Sequence, residues 1–372
     1  MMKSLKDFKL KDDPFQYLTA MPGRRDLAEI RWAGLPDIHS KIVSIYNNLY
    51  HNKPRQIILN WGPYGGGKTF AAYHFIENAN SDNLQPHQVY VRSPKMGKNA
   101  SAEFYKGILD YISYRKIKKQ VRYMFDALGE EDFFEFLYSR IRNEEIVEAI
   151  IMVGKGDDEI EKLMKRYVYS ELTKSELKQV GLSRNIEWGT DTIQFLSGIV
   201  HCFIGDQVNY KGRFVLWIDE MEDMIYYSQK EYKLFSQVLR DLFDSLNQYF
   251  TAFLNFTLAE SEESTIEQLL GGAVWSRISS RIRFKELTKE DALLYCYDAI
   301  RYQHLDDSVE DYYPFTEDVL AYIFDLIPDS QLTPREINRY CGEVLNYALK
   351  IDADEITKEL VGNYFNQLSE DY

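Results

Sequence analysis

A glycine-rich stretch near residue 65 has the residue types and spacing needed to hold a phosphate chain. It reads G-x-x-x-x-G-K-T over 62–69, between an apolar run and a helix-forming segment. Glycines let backbone N–H groups turn towards an anion, and the next helix N-terminus favours negative charge. Lys68 can reach the β- and γ-phosphates, and the Thr69 hydroxyl can ligate Mg²⁺. We predict an ATP and Mg²⁺ site formed by Gly62, Pro63, Tyr64, Gly65, Gly66, Gly67, Lys68, Thr69 and Phe70.

An acidic pair much later in the chain supplies a second part of such a site. Five apolar residues, 214–218, precede Asp219 and Glu220. This pattern is typical of a central parallel strand, and ligands bind at the carboxyl ends of such strands. We predict that Asp219 and Thr69 hold Mg²⁺, and that Glu220 polarises the attacking water as general base. The alternative is that the pair only caps the next element.

The predicted strands and helices bring these two motifs to one edge of a sheet. The fold class is α/β: a P-loop αβα sandwich with a parallel sheet, a helical insert near 120–187 and a C-terminal all-α lid. Residues 1–288 form the nucleotide-binding core and 289–372 the lid. Residues 101–128 are predicted as one long helix. The predicted strands are 55–61, 87–93, 214–218, 249–257 and 282–288, and four amphipathic helices follow Thr288.

A P-loop core followed by a helical lid resembles the plan of the AAA+ ATPases. The segments "SRISSRIRFKELT" and "PREINRYCGEVLNYAL" are similar to the last-strand and lid segments of the branch with origin-recognition, initiator and transposition-regulator ATPases. The segments "GPYGGGKTF" and "LWIDEMED", with the long helical insert, also resemble ATPases of phage-defence systems of the BREX type. The given sequence ends after the lid, so no winged-helix module is expected.

The AAA+ resemblance implies further site residues. A polar side chain near the end of the fourth strand should reach between the two acidic sites; Thr257 is the first choice and Asn255 the second. Arg277, or else Arg281, should enter the ATP site of a neighbouring subunit; the two are expected one helical turn apart. Arg335 should contact the γ-phosphate and link nucleotide state to lid angle. The alternatives are solvent-facing strand ends, surface arginines and a lid salt bridge.

Composition limits the partners. The chain has 372 residues, 45% hydrophobic content and a net charge of −14, so DNA contact must come from a local basic patch or from assembly. Three distant cysteines fit a reducing cytoplasm, and neither a signal peptide nor an apolar run long enough for a membrane span is found. Two basic segments are candidates for DNA contact: Arg92, Lys95 and Lys98, or Arg115, Lys116, Lys118, Lys119 and Arg122.

Two functions from different classes fit these features. The first is an ATP hydrolase that assembles as a ring or filament on DNA. It would recruit a partner enzyme in mobile-element or phage-defence transactions. The alternative is a signalling or scaffold ATPase that acts on proteins without binding nucleic acid, which the net negative charge favours.

Overall fold

A parallel sheet of five strands forms the centre of the molecule. The computed structural model describes residues 3–15, 31–51, 55–78, 86–95, 99–205, 212–258 and 263–370. The strand order is β2-β3-β4-β1-β5, and every pairing is parallel, so all strands end at the same edge. The strands are β1 (Arg55–Gly62), β2 (His87–Arg92), β3 (Phe214–Asp219), β4 (Phe250–Thr257) and β5 (Ser280–Arg283).

Helices cover both faces of the sheet, which is why β1, β3 and β4 are apolar almost throughout. On one face, the rings of Trp217 and Phe253 stack at 3.8 Å and pack with the helices α1 (Pro36–His51) and α2 (Lys68–Asn78). The other face packs against α3 (Ala100–Ile112) and further helices of the core and insert. The register sets Gly62, the end of β1, directly opposite Thr257, the end of β4.

The region between β2 and β3 is helical. The predicted long helix over 101–128 is wrong, because Ser113 has a φ of +69° and separates α3 from the next helix. The break lets α3 contact β2 while the following helix contacts the insert. The helices of this region are α4 (Tyr114–Leu128), α5 (Glu130–Ile141), α6 (Glu144–Lys155), α7 (Asp158–Tyr167), α8 (Lys174–Gln179) and α9 (Thr190–Ile204).

The insert shares one apolar core with the sheet rather than forming a separate body. Gly198 of α9 shows how closely its helices approach: a Cβ there would lie 2.4 Å from Ile150 Cδ1. The helix α10 (Gln229–Ser245) follows β3, and α11 (Glu263–Trp275) follows β4.

A second apolar core lies in the lid. It contains Phe8, Leu10 and Phe15 from the N-terminal segment together with the four C-terminal helices. Thr288 and Thr316 cap the first two of these helices. The domain boundary at 288 stays a prediction. The lid helices are α12 (Lys289–Gln303), α13 (Glu317–Asp325), α14 (Pro334–Lys350) and α15 (Lys358–Glu370).

The last strand lies earlier than predicted. Instead of 282–288, β5 covers Ser280–Arg283. One further bond joins Phe284 N to Trp61 O at 2.8 Å, and then Leu287 N donates to Leu332 O in the lid at 2.7 Å. The chain therefore leaves the sheet after Phe284 and is bonded to the lid at Leu287. In the described parts of the chain, no helix is long and apolar enough to cross a membrane.

Candidate nucleotide site

The glycine-rich loop joins β1 to α2 and needs glycine at two positions for steric reasons. A Cβ at Gly62 would lie 1.9 Å from the Phe284 carbonyl oxygen. Gly65 has a φ of +79°, and a Cβ there would lie 2.7 Å from the Cβ of Arg335 in the lid. The loop is therefore a backbone cradle at the N-terminus of an 11-residue helix, which is the arrangement that binds phosphate.

Lys68 is buried and held inside the loop. Its Nζ donates to the Gly62 carbonyl at 2.9 Å and to the Pro63 carbonyl at 2.8 Å. Burial lowers the pKa of Lys68 to about 8, and the carboxylates of Glu222 and then Asp219 oppose this shift. A bound nucleotide would offer the ammonium phosphate oxygens in place of these two carbonyl oxygens.

Thr69 and Asp219 meet at the end of the sheet. Thr69 Oγ1 donates to Asp219 Oδ2 at 2.6 Å, and the Tyr90 hydroxyl donates to the same oxygen at 2.8 Å. Asp219 Oδ1 accepts from Glu220 N at 3.0 Å. Hydroxyl and carboxylate oxygens are the ligands that Mg²⁺ prefers, so the donor set fits the predicted metal. Thr69 and Asp219 would hold Mg²⁺, which would neutralise charge on phosphate oxygens. The binding of Mg²⁺ at this site stays a prediction.

Glu220, the predicted general base, points towards two cations. Its backbone is left-handed, with φ 57° and ψ 37°. Its carboxylate lies 3.7 Å from Arg92 Nε and 3.9 Å from Lys95 Nζ. These are ion pairs at the limit of contact, longer than hydrogen bonds. Two basic residues predicted for DNA are thus engaged with Glu220, and the third, Lys98, lies outside the described residues.

Asn255 and Thr257 lie where the predictions for β4 put them, on one side of the strand end. Asn255 is buried, accepts from Asn60 Nδ2 at 3.0 Å, and directs its own Nδ2 to the Lys68 carbonyl at 3.5 Å. Thr257 is half-buried and donates its backbone N–H to Glu222 Oε2 at 2.9 Å. Both therefore border the phosphate loop, and their contact with a nucleotide stays a prediction.

Glu222 is a site residue that the sequence analysis missed. It lies on the tight turn Met221–Tyr226 that follows β3, and this turn returns its side chain to the end of β4. A third acid soon after Asp219 and Glu220 was the available signal. Nothing in the sequence showed that such a turn follows the strand.

The lid contacts the phosphate loop through the start of α14. Arg335 N donates to the Gly65 carbonyl at 3.4 Å, and the Arg335 guanidinium lies 3.8 Å from the centre of the Tyr64 ring. Tyr64 is otherwise exposed. The predicted γ-phosphate arginine is thus attached to the loop by a backbone bond and a cation–π contact.

Comparisons with known proteins identify the fold. No protein-family model matches the chain, and no curated protein matches it. The ORC2 protein of Aeropyrum pernix, in its ADPNP–ADP complexes, is 12% identical and matches over 92% of this chain and 71% of its own, with a TM-score of 0.51. The ADP form of the same ORC2 protein is 12% identical and matches over 91% of this chain and 71% of its own, with a TM-score of 0.50. The RuvB branch migration motor of Thermotoga maritima is 14% identical over 90% and 70%, with a TM-score of 0.44.

The chain has the fold of the initiator-like AAA+ ATPases. The fold conclusion rests on the two ORC2 structures and on the parallel sheet. It confirms the predicted α/β class and the predicted AAA+ resemblance.

Within the AAA+ fold, Arg277 and Arg281 are not one helical turn apart as predicted. Arg277 lies in the turn after α11, whereas Arg281 lies in β5, because the strand begins at Ser280. Arg277 forms a bidentate ion pair with Asp244, at 2.7 and 2.5 Å. Arg281 pairs with Glu263 at 2.8 Å and covers the Trp275 ring.

The pair of Arg277 and Asp244 lies at the edge of the sheet opposite the phosphate loop. Asp244 also contacts Arg55, the first residue of β1, at 3.3 Å. The loop begins at the other end of that strand, roughly 23 Å away at about 3.3 Å per residue. Arg277 therefore cannot reach the phosphate loop of its own chain.

The basic segment on α4 forms one exposed face. Arg115, Lys116, Lys119 and Arg122 are all exposed on this helix. Lys118 differs: it is half-buried, lies 2.5 Å from Glu161 and donates to the Gly156 carbonyl at 3.2 Å. Four of the five residues predicted for this patch thus share a solvent-facing surface, which we call the α4 basic face.

Proposed function

We propose that this protein binds and hydrolyses ATP with Mg²⁺ and works as a nucleotide-controlled switch that assembles as a ring or filament. The observation that carries the proposal is the 2.6 Å contact between Thr69 Oγ1 and Asp219 Oδ2, beside Lys68. Two motifs separated by 150 residues meet there at the end of a parallel sheet. The AAA+ fold supports this reading.

Hydrolysis would use residues from two subunits. Water attacks the γ-phosphorus, Glu220 accepts its proton, and ADP leaves with the bridging oxygen. Arg277, or else Arg281, would enter the neighbouring subunit's site and stabilise charge on the transferred phosphoryl group. Arg335 would exchange its contact with Tyr64 for the γ-phosphate. Two observations support Arg277 in this role. It is far from the phosphate loop of its own chain, and its bidentate ion pair with Asp244 fixes its guanidinium group.

The assembly would form on DNA in the cytoplasm and recruit a partner enzyme in a mobile-element or phage-defence transaction. The α4 basic face supports DNA contact despite the net charge of −14. The resemblance to the initiator and BREX-type branches supports the pathway.

Turnover and assembly of the same preparation test the central proposal. Wild-type protein with Mg²⁺ and ATP should release phosphate and increase in mass by mass photometry, whereas ADP should leave it smaller. Lys68→Ala should do neither, because the charge partner of the β- and γ-phosphates is lost. Phosphate release at the wild-type rate by Lys68→Ala would refute the assignment of the site.

The salt dependence of DNA binding tests the nucleic-acid part. Replacing Arg115, Lys116, Lys119 and Arg122 with Gln should lower the slope of log K against log salt by about 3 to 4, since each phosphate contact contributes about 0.9. A matched control is Lys230→Gln with Lys233→Gln, two exposed lysines on α10. If the wild type binds no DNA with or without ATP, the scaffold function replaces the DNA switch.

A further inference from the structure

Glu222 points in a different direction from its acidic neighbours. Its carboxylate accepts the Thr257 N–H at 2.9 Å, at the end of β4. Thr257 is the register partner of Gly62, where the phosphate loop begins. Glu222 therefore stands next to the loop, whereas Glu220 faces Arg92 and Lys95.

Glu222 also acts on Lys68. Among the carboxylates that raise the pKa of Lys68 against its burial, Glu222 acts more strongly than Asp219. In return, Lys68 lowers the pKa of Glu222, although burial raises it more. A partly buried carboxylate bonded to the end of β4 thus acts electrostatically on the ammonium that the P-loop reserves for phosphate.

This position matters for the terminal phosphate of ATP. The γ-phosphate is anionic and is reached by the P-loop lysine and by the polar end of the fourth strand. Glu222 bonds to the end of that strand and acts electrostatically on that lysine. Two anions in one partly buried place repel each other strongly, because the effective dielectric constant there is well below that of water.

We infer that Glu222 competes with the γ-phosphate of ATP for Lys68 and so sets how strongly the site prefers ATP over ADP. The inference rests on the proposed function. ADP lacks the phosphate that meets Glu222, so the carboxylate weakens ATP binding more than ADP binding. ATP is then retained only where other charges, such as those of a neighbouring subunit, compensate for Glu222.

The neighbouring acid Asp223 gives a matched control. It lies on the same turn, and the charge that acts on it is Lys95 rather than Lys68. Replacing it with Asn removes the same charge from the same turn without changing the surroundings of Lys68. A general effect of net charge would appear in both variants, whereas the specific effect appears only at position 222.

The test compares two affinities in one protein. Isothermal titration calorimetry with Mg²⁺ gives the Kd for ADP and for the β,γ-imido analogue of ATP. Glu222→Gln keeps the size and an oxygen for the Thr257 N–H but removes the charge. We expect the ratio of the ADP Kd to the analogue Kd to rise about tenfold or more. Asp223→Asn should leave this ratio within about twofold of wild type.

Other outcomes separate the hypotheses. An unchanged or lower ratio in a folded Glu222→Gln variant overturns the inference, and so does an equal loss of affinity for both nucleotides, which indicates a structural role. Glu222→Ala is measured in parallel, so that a folding defect of one variant, seen in its thermal melt, leaves the other as the test. Wild-type protein that binds neither nucleotide would instead refute the proposed function.

Discussion

Replacing Lys68 with Met should stabilise the nucleotide-free protein near neutral pH while removing its response to ATP. Lys68 has a pKa of about 8 in the fold against 10.5 ordinarily, and burial is the main cause. At about 1.4 kcal/mol for each pKa unit, holding the charged form buried costs about 3 kcal/mol. Methionine avoids this cost but loses the hydrogen bonds to Gly62 and Pro63, roughly 1 kcal/mol each. The expected net gain is about 1 kcal/mol.

The pH dependence of stability provides a separate check that burying the Lys68 charge is unfavourable. The pKa of Lys68 is lower in the folded than in the unfolded state, so the unfolded state binds more protons between the two values. Wild-type stability should therefore rise with pH above about 8, as the folded state loses its buried charge first. Lys68→Met has no such group. Wild type should gain about 2 kcal/mol between pH 7 and pH 9.5, so the advantage of Lys68→Met of about 1 kcal/mol should reverse over this range.

Urea unfolding followed by far-ultraviolet circular dichroism at pH 7, 8, 8.8 and 9.5 measures this difference in stability. The control is Lys285→Met, at an exposed lysine, which should not change the pH dependence of stability. With Mg²⁺ and ATP, the unfolding midpoint of the wild type should rise, because ligand binds only the folded state, and that of Lys68→Met should not. A variant that is several kcal/mol less stable than wild type at pH 7, or a difference independent of pH, would refute the reasoning.

Three further predictions follow from the same structure. Glu220→Gln should bind ATP but hydrolyse it roughly a hundredfold or more slowly, and equal turnover would show that Glu220 is not the base. Arg277→Ala mixed with Lys68→Ala should recover some hydrolysis, because the second protein lends its arginine to the first. Co-assembly without activity would count against Arg277, and the same mixture with Arg281→Ala would then be tried. Burial lowers the pKa of His87 to about 4, so stability should fall by up to about 3 kcal/mol from pH 6.5 towards 4, and His87→Gln should reduce that loss in an acid titration.

The parts predicted correctly from the sequence have local signals. The apolar runs of β1 and β3 were recognisable because strands covered on both faces exclude polar residues. The glycine pattern of 62–69 was recognisable because the backbone itself requires it, as the contact between Gly62 and Phe284 shows. The helices of the lid had capping threonines and regular apolar spacing.

The parts that could not be predicted depend on contacts between distant segments. Lys118 and Lys119 are adjacent and identical in type, yet one pairs with Glu161 and the other is exposed. Only the packing of α4 on the insert decides between them. The position of β5 likewise depends on its pairing with β1, a strand far away in the sequence. That pairing places Arg281 in a strand rather than a helix.

The acidic segment 219–223 shows why a motif alone cannot assign roles within a site. Residue type made Glu220 the expected partner of the nucleotide, because it directly follows the strand. The left-handed backbone at Glu220 turns the chain, so that Glu220 faces Arg92 and Lys95 while Glu222 returns to Thr257. The two carboxylates therefore have different partners: Glu220 pairs with Arg92 and Lys95, whereas Glu222 bonds to Thr257 and acts electrostatically on Lys68. If assembly brings a neighbouring arginine to the γ-phosphate, that arginine also adds positive charge near Glu222. The same event would then favour both retention of ATP and its hydrolysis, which makes both depend on the presence of a second subunit.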